Sequence, residues 1–459
     1  MRSLRSALLL GVAVAACFYG LYVALTLATT ATDCPEPVVE KATAVKKPAL
    51  ASVSFTDYSA AATADKCENP YSKDGYLYFD DPADTRSAQF FPFDVLLAAA
   101  DDNSDADPVI DGVHYFGGET VPRPRPETFK LAPHNWYNDL QHLQWERKNN
   151  KSPAFRALLE QRVAWMKDKT VLLIGDSTDR YLSLYFCENA LGGHLKFALG
   201  GIHSTSSCVV PALNLTILTW HVASLYETKP KWWMNPTMTI VSWEERWSQF
   251  FMPSLVWGRD SRGQYFRHTR TRPDLIIVQS GLWDHNVFVA AKQAQDSLSA
   301  RTAAEAKSIQ MDHSRAFNYR ELRYFALRMD KILGDIVAEF PDTPVLCRSL
   351  TQRANGSENA GMNQFGLALS YACRKRDIEM MPFGRIVRDM IGVPGAYADF
   401  IHFREGAISS LFHNMMLWYL NRAAGGVESQ GQLVRNASGG PTTLANWNRC
   451  HNYHMLNYP

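Results

Sequence analysis

Three short segments carry side chains whose types and spacing suit nucleophilic acyl transfer. The first is Gly175-Asp176-Ser177-Thr178, directly after the apolar run 171–174. A serine at a strand-to-helix turn projects its hydroxyl at the sheet edge, where the following helix N-terminus favours negative charge. Gly175 allows the tight turn. Ser, Thr and Asp are also ordinary helix N-caps, so this segment alone has a purely structural reading. The second segment is Asp399-Phe400-Ile401-His402. A serine nucleophile needs a base, and the base needs an orienting acid. An Asp three residues before a His presents both side chains on one side of a turn. Asp111 and His114, and Asp139 and His142, share that spacing, but only the 399–402 pair follows all the strand-like runs. The third segment is Ser280-Gly281-Leu282-Trp283-Asp284-His285-Asn286. Gly281 permits close backbone approach, Asn286 or the Gly281 region is a candidate oxyanion lining, and His285 is a rival base.

Elements able to position these groups are legible around them. The runs 171–174, 215–220, 275–278, 345–347 and 378–381 read as strands, the apolar ones as buried strands. Helical patterns lie at 179–191, 319–340, 362–374 and 406–421. Strand and helix alternate, which predicts an α/β domain with a parallel sheet covered on both faces. Sites in such sheets form beyond the C-terminal strand ends, where all three segments fall. This domain is expected over 151–459, preceded by a loop-rich wrapping segment over 66–150.

The start of the chain differs in kind. Residues 7–28 are almost uninterruptedly apolar after Arg2 and Arg5. As a helix they reach about 33 Å, enough to cross a bilayer core. They are longer than a cleaved signal peptide's apolar region, so an uncleaved signal-anchor is expected. Residues 1–6 would be a cytoplasmic tip, 29–65 a stem, and the rest lumenal. Of eight cysteines, seven lie beyond the span, an odd number that leaves one thiol over, with Cys34 in the stem the candidate. Asn150, Asn214, Asn355 and Asn436 begin glycosylation sequons. The formal net charge is +1, with 47 basic and 46 acidic residues, which gives no field for nucleic acid. No Cys-pair or His-Glu-x-x-His spacing supports zinc, so no metal and no bound cofactor are expected.

The ordered set of anchor, strand–Gly-Asp-Ser–helix, strand–Gly-Leu-Trp-Asp and late Asp-x-x-His resembles the SGNH/GDSL superfamily over about residues 165–425. More narrowly it resembles the PC-esterase branch, which includes trichome-birefringence-like polysaccharide O-acetyltransferases and fungal relatives. The resemblance implies an SGNH-hydrolase-like sheet, with Ser177 as nucleophile, His402 as general base and Asp399 as its partner. Gly281-Leu282-Trp283-Asp284 would occupy the place of the block usually written Gly-x-Asn-Asp, with Trp283 standing where that block has Asn. Asn214 would lie on the family's Asn-containing strand, as a buried structural group rather than a glycan site. Gly200 or Gly201 would be the second-block glycine. Gly175, Asp176, Gly201, Asn214, Gly281, Trp283 and Asp284 make up the candidate site lining.

The function expected is a Golgi or ER lumenal O-acetyltransferase acting on glycan hydroxyls. Its co-substrate would be an acetyl donor, acetyl-CoA or an acetylated intermediate. The same residues make an esterase if water accepts the acyl group. A catalytically inactive, anchored glycan-binding protein is the alternative from another class, and the cluster Trp232, Trp233, Trp243, Trp247 and Trp257 offers either a sugar-stacking surface or core packing. A type II glycosyltransferase would want an Asp-x-Asp motif, which occurs at Asp105 and Asp107 but in the loop-rich segment.

Overall fold

The computed structural model describes residues 69–79, 81–86, 88–93, 133–197, 206–222, 224–226, 242–256, 272–424 and 447, with four two-residue strands between 104 and 122. The chain divides into two compact units, Met1–Ser54 and Phe55–Pro459, and every described residue belongs to the second. The expected span over 7–28, the stem, Cys17, Cys34, Cys67 and Cys450 lie outside the described residues. Among the described residues no helix is long and apolar enough to cross a membrane.

Thirteen strands are described. Ahead of the main sheet, β1 (Gly75–Tyr78) pairs with β2 (Gln89–Pro92), β3 (Ser104–Asp105) with β6 (Val121–Pro122), and β4 (Val109–Ile110) with β5 (Val113–His114). The main sheet contains β7 (Thr170–Gly175), β8 (His194–Phe197), β9 (Ser206–Val210), β10 (Leu215–His221), β11 (Leu275–Val278), β12 (Val345–Arg348) and β13 (Glu379–Met381). Its order is β13-β12-β11-β7-β10-β9-β8. The five strands from β13 to β10 are parallel, and β9 and β8 add an antiparallel edge.

The helices are α1 (Trp136–Asn149), α2 (Pro153–Val163), α3 (Ser177–Asn189), α4 (Trp243–Arg246), α5 (Leu282–Leu298), α6 (Ala303–Ser308), α7 (Tyr319–Glu339), α8 (Ala360–Lys375), α9 (Phe383–Ile386) and α10 (Ala407–Ala423). They bury the sheet on both faces. Val171 and Leu173 of β7 pack into one core with α3 and α10, while Leu172 and Ile174 pack into the other with α7 and α8. A strand alternating between two apolar layers must be apolar throughout, which is why 171–174 reads as one unbroken run.

The chain leaves β7, pairs β10 on one side of it, then returns to pair β11 on the other. The strand order therefore reverses at β7, and the crevice at its C-terminal end is the topological switch point. The register places Gly175 beside His221 and Ile174 beside Val278. Ser177 begins α3 just beyond that end.

Two parts of the fold depart from the sequence pattern. The loop-rich reading of 66–150 does not hold at its end, where α1 runs for 14 residues. Trp136, Leu140 and Leu143 give it an apolar stripe, diluted by the polar residues of its outer face. The segment also feeds the core: Tyr71, Phe90 and Tyr137 pack in one cluster with α10. The β8–β9 edge was not foreseen, because β8 is half-exposed and β9 begins with two serines. A disulfide from Cys187 on α3 to Cys208 on β9 secures it, and Cys347 of β12 is bonded to Cys373 of α8. Helix α10 is buried at every residue, so the last described helix is a central pillar of the sheet domain. Trp243 is buried and Trp247 packs against Trp220 and Phe251, so these two indoles belong to the core; Trp232, Trp233 and Trp257 lie outside the described residues.

Candidate active site

Helix α3 begins at the serine because Asp176 caps it. The Asp176 carboxylate accepts from the Thr178 amide at 2.8 Å, and Asp179 closes a reciprocal box back to the Asp176 amide. The helix thus starts two residues before the 179 expected from its apolar stripe, and Ser177 stands in its first turn. Its amide has no partner in the helical ladder, since the first four amides of any helix lack one. The macrodipole adds positive potential at the same place.

Gly175 has a reason beyond the turn. A Cβ there would lie 2.0 Å from the Asp179 carboxylate, too close for any side chain. That carboxylate is the hub beneath Ser177. It takes two hydrogen bonds from the Arg348 guanidinium, at 2.8 and 3.0 Å, and one from Gln279 at 2.7 Å. Arg348 ends β12 and Gln279 follows β11, so one buried carboxylate ties three strand ends together. Burial and the neighbouring Asp179 charge push the Asp176 carboxyl above the usual carboxylate range, against the pull of Arg348. Sequence reasoning missed this hub. The available signal was an arginine closing a strand that is otherwise apolar, since charge is buried only with a partner.

Asp399 and His402 arrive on a hairpin-like loop over 396–404. The Arg404 amide donates to the Ala396 carbonyl at 3.0 Å, and the Ala398 amide to the His402 carbonyl at 2.7 Å. Inside this loop Asp399 folds back on its own chain. Its Oδ1 accepts the amides of Ile401 and His402 at 2.7 and 2.8 Å, while Oδ2 lies 2.7 Å from His402 Nδ1. His402 Nε2 in turn lies 2.7 Å from Ser177 Oγ. Partial burial alone would raise the Asp399 carboxyl, but hydrogen bonds from the His402 ring and the two amides outweigh it and hold it below its ordinary value. It therefore stays ionised, which holds the imidazole with Nδ1 protonated and Nε2 free to accept from Ser177.

The loop is clamped from outside. The Ala354 amide donates to the Phe400 carbonyl at 3.0 Å, and the Ala407 amide to the Pro82 carbonyl at 3.0 Å. Gly406 is needed there: its φ is 155°, and a Cβ would sit 2.0 Å from the Pro82 oxygen.

The remaining sequence candidates make other contacts. Gly281 caps α5 with its Cα facing Leu350, where a Cβ would clash at 2.3 Å, so close packing requires the glycine. Asp284 is wholly buried and accepts from Ser280 and Ser224 hydroxyls at 2.5 and 2.7 Å and from the Leu225 amide at 2.9 Å. It organises the turn after β10. Trp283 is half-buried in the first turn of the same helix. Asn286 accepts from Arg353 at 2.8 Å. His285, the rival candidate, faces the core. It is wholly buried beside Phe317 and Phe365, and burial together with the Arg353 guanidinium pushes its pKa down to about 4.

Asn214 sits in the turn before β10, with φ of 48°, and donates to Asp168 at 2.7 Å. Because β10 runs parallel to β7, Asn214 lies at the opposite end of the sheet, about 20 Å from the switch point. It does not line this site, and its amide is engaged. Asn150 ends α1 in the left-handed region and Asn355 caps a 3-10 turn; both are at the surface of the domain. Gly200, Gly201 and Asn436 lie outside the described residues. Of the look-alike pairs, Asp139 bonds His134 at 2.8 Å rather than His142. Asp111 and Asp107 lie outside the described residues.

No protein-family model and no curated protein matches the chain. Among solved structures, the chain is similar to one assigned as a GDSL-like lipase from Parabacteroides merdae, at 11% identity and a TM-score of 0.30, over 55% of this chain and 95% of that one. It is also similar to an acetylxylan esterase from Geobacillus stearothermophilus, at 12% identity and a TM-score of 0.27, over 59% of this chain and 98% of that one.

Proposed function

We propose that the chain is a serine-dependent O-acyl transferase of the PC-esterase type, passing an acetyl group to glycan hydroxyls through an acyl-enzyme. The observation that carries this reading is the continuous line from Asp399 through His402 to Ser177, with both heavy-atom distances 2.7 Å, at the switch point of a parallel sheet.

The steps follow from the geometry. His402 Nε2 takes the Ser177 proton as Oγ attacks the acyl carbon of the donor. The charge that develops on the carbonyl oxygen is met by the Ser177 amide and the α3 N-terminus; one such donor is commonly worth about 3 kcal/mol. Asp399 stabilises the imidazolium without taking its proton. The intermediate collapses as His402 protonates the departing group, leaving acyl-Ser177. An acceptor hydroxyl then gives its proton to His402 and attacks, and Ser177 is restored.

The acceptor and compartment belong to this proposal. The apolar run 7–28 and the sequons of a lumenal chain support a type II membrane protein of the Golgi or ER with a glycan acceptor and an acetyl donor such as acetyl-CoA. A specific observation favours the esterase as second reading: the Asp399 side chain is 45% exposed, so water reaches the edge of the triad. The test incubates the full-length chain with labelled acetyl donors and a panel of glycans. Label on sugar, absent with Ser177→Ala, supports the transferase. Free acetate alone supports the esterase. Neither, with glycan retained, leaves the inactive binding protein.

A further inference from the structure

Helix α3 does more than start at the nucleophile. Ser177, Tyr181, Tyr185 and Asn189 recur every four residues, which places them on one face of the helix, one above the other. Each meets the loop that carries the base. Ser177 Oγ bonds His402 Nε2. The Tyr181 ring lies on the His402 imidazole, with centroids 4.6 Å apart and planes tilted by 49°. The Tyr185 hydroxyl donates to the Phe403 carbonyl at 3.1 Å. The Asn189 amide donates to the Glu405 carboxylate. Going up the helix, the stripe meets residues 402, 403 and 405 in chain order.

From this stripe we infer that Tyr181 and Tyr185 are positioning residues that set the register of His402 against Ser177. The inference rests on the triad reading above. The outside clamps hold the loop at Phe400 and Ala407, on either side of His402, and leave the Asp–His unit free to slide or rotate against Ser177 while its internal hydrogen bonds stay intact. The contacts that reach residues 402 and 403 themselves come from the nucleophile's own helix. Tyr181 supplies a wall for the imidazole face, at a separation typical of a favourable aromatic pair. Tyr185 pins the backbone one residue further on. Because all four groups stand on one rigid helix, the distance from Oγ to Nε2 is set by helix geometry rather than by loop flexibility.

The hydroxyl of Tyr181 has no part in this, whereas that of Tyr185 does. The two tyrosines therefore answer opposite substitutions. Tyr181→Phe retains the ring and should leave kcat within about twofold, while Tyr181→Leu should lower kcat for a small activated acetyl ester by roughly 10- to 100-fold, the range expected when a reacting group is misplaced by about an ångström. KM for that ester should change little. Tyr185→Phe, which removes one oxygen, should lower kcat about three- to tenfold in the same way.

The experiment measures kcat, KM and the rate of fluorophosphonate labelling of Ser177 for the full-length chain and these variants, alongside thermal unfolding. Support is a fall in kcat and labelling rate for Tyr181→Leu, at unchanged unfolding temperature, with rescue in Tyr181→Phe. The positioning role is overturned if Tyr181→Leu keeps wild-type kcat, or if labelling falls only in proportion to lost folded protein. Loss of labelling in every chain, wild type included, would instead fail the triad reading.

Discussion

Two adjacent strand ends carry nearly the same kit of residues and use it in opposite ways. Beyond β7 stand Gly175, Asp176 and Ser177, met by Asp399 and His402; beyond β11 stand Ser280, Gly281, Asp284 and His285. In the first, Asp399 and His402 pass their hydrogen bonds on to Ser177 at the crevice. His402 keeps 18% of its side chain exposed and aims one nitrogen at each partner. In the second, every bond closes inward. Asp284 spends its oxygens on two hydroxyls and an amide, and His285 is walled by Phe317 and Phe365. The lesson is that Asp, His and Ser near a glycine turn do not by themselves make a site. The direction of their bonds and access to solvent decide it.

That comparison can be broken most severely at the first site. Ser177→Ala and His402→Ala should each lower acyl turnover by about 10⁴-fold or more, and the double variant should be little worse than either, because the residues act as a unit. Asp399→Asn should cost about 10³- to 10⁴-fold, since an amide cannot hold the same tautomer. Steady-state kinetics with a small ester check both, with circular dichroism to show an unchanged fold.

The second site should answer in the other currency. Asp284→Ala strands the Ser224 and Ser280 hydroxyls and the Leu225 amide, and should cost about 2–4 kcal/mol of stability. Activity per folded molecule should stay within about threefold. Denaturant unfolding of the two variants, Asp284→Ala and Ser177→Ala, would show one losing stability and the other activity; exchange of the two outcomes would invert the assignment.

A smaller effect sharpens the same contrast through pH. Burial holds the pKa of His285 down to about 4, and that of His413, bonded to the Leu182 carbonyl, down to about 3. In the unfolded chain a histidine titrates near 6.5, so the unfolded state binds more protons between the two values. The stability these neutral rings contribute is full above about pH 6.5 and is lost as pH falls toward 4. Asp399, held below its ordinary value, acts in the same direction at lower pH. Unfolding temperature should fall from pH 7 to pH 4, and His285→Gln should flatten part of that slope while changing turnover by less than about twofold.

The contrast also marks what the sequence discloses. The five parallel strands were legible because strands buried on both faces are apolar at nearly every position, and 171–174 and 275–278 admit little else. Ser177, Asp399 and His402 were legible through order along the chain, since 399–402 is the Asp-x-x-His pair that follows the last strand. The rival His285 stayed open in sequence because nothing local records that Phe317 and Phe365 close over it; those contacts come from elements 30 or more residues away. Arg348 and Asp179 were hidden for the same reason, being 169 residues apart and meeting only when β11 pairs with both β12 and β7. Asn214 was misplaced because a motif on a strand does not say at which pole it lies until the strand direction is known.

The central claim is that Ser177 is a nucleophile activated by His402. Its most direct measurement is site mapping of a fluorophosphonate adduct on the folded full-length chain, in wild type, His402→Ala and His285→Gln. The account predicts a single adduct on Ser177, at wild-type rate in His285→Gln and nearly abolished in His402→Ala. An adduct that forms elsewhere, fails to form on folded wild type, or depends on His285 rather than His402 would contradict it.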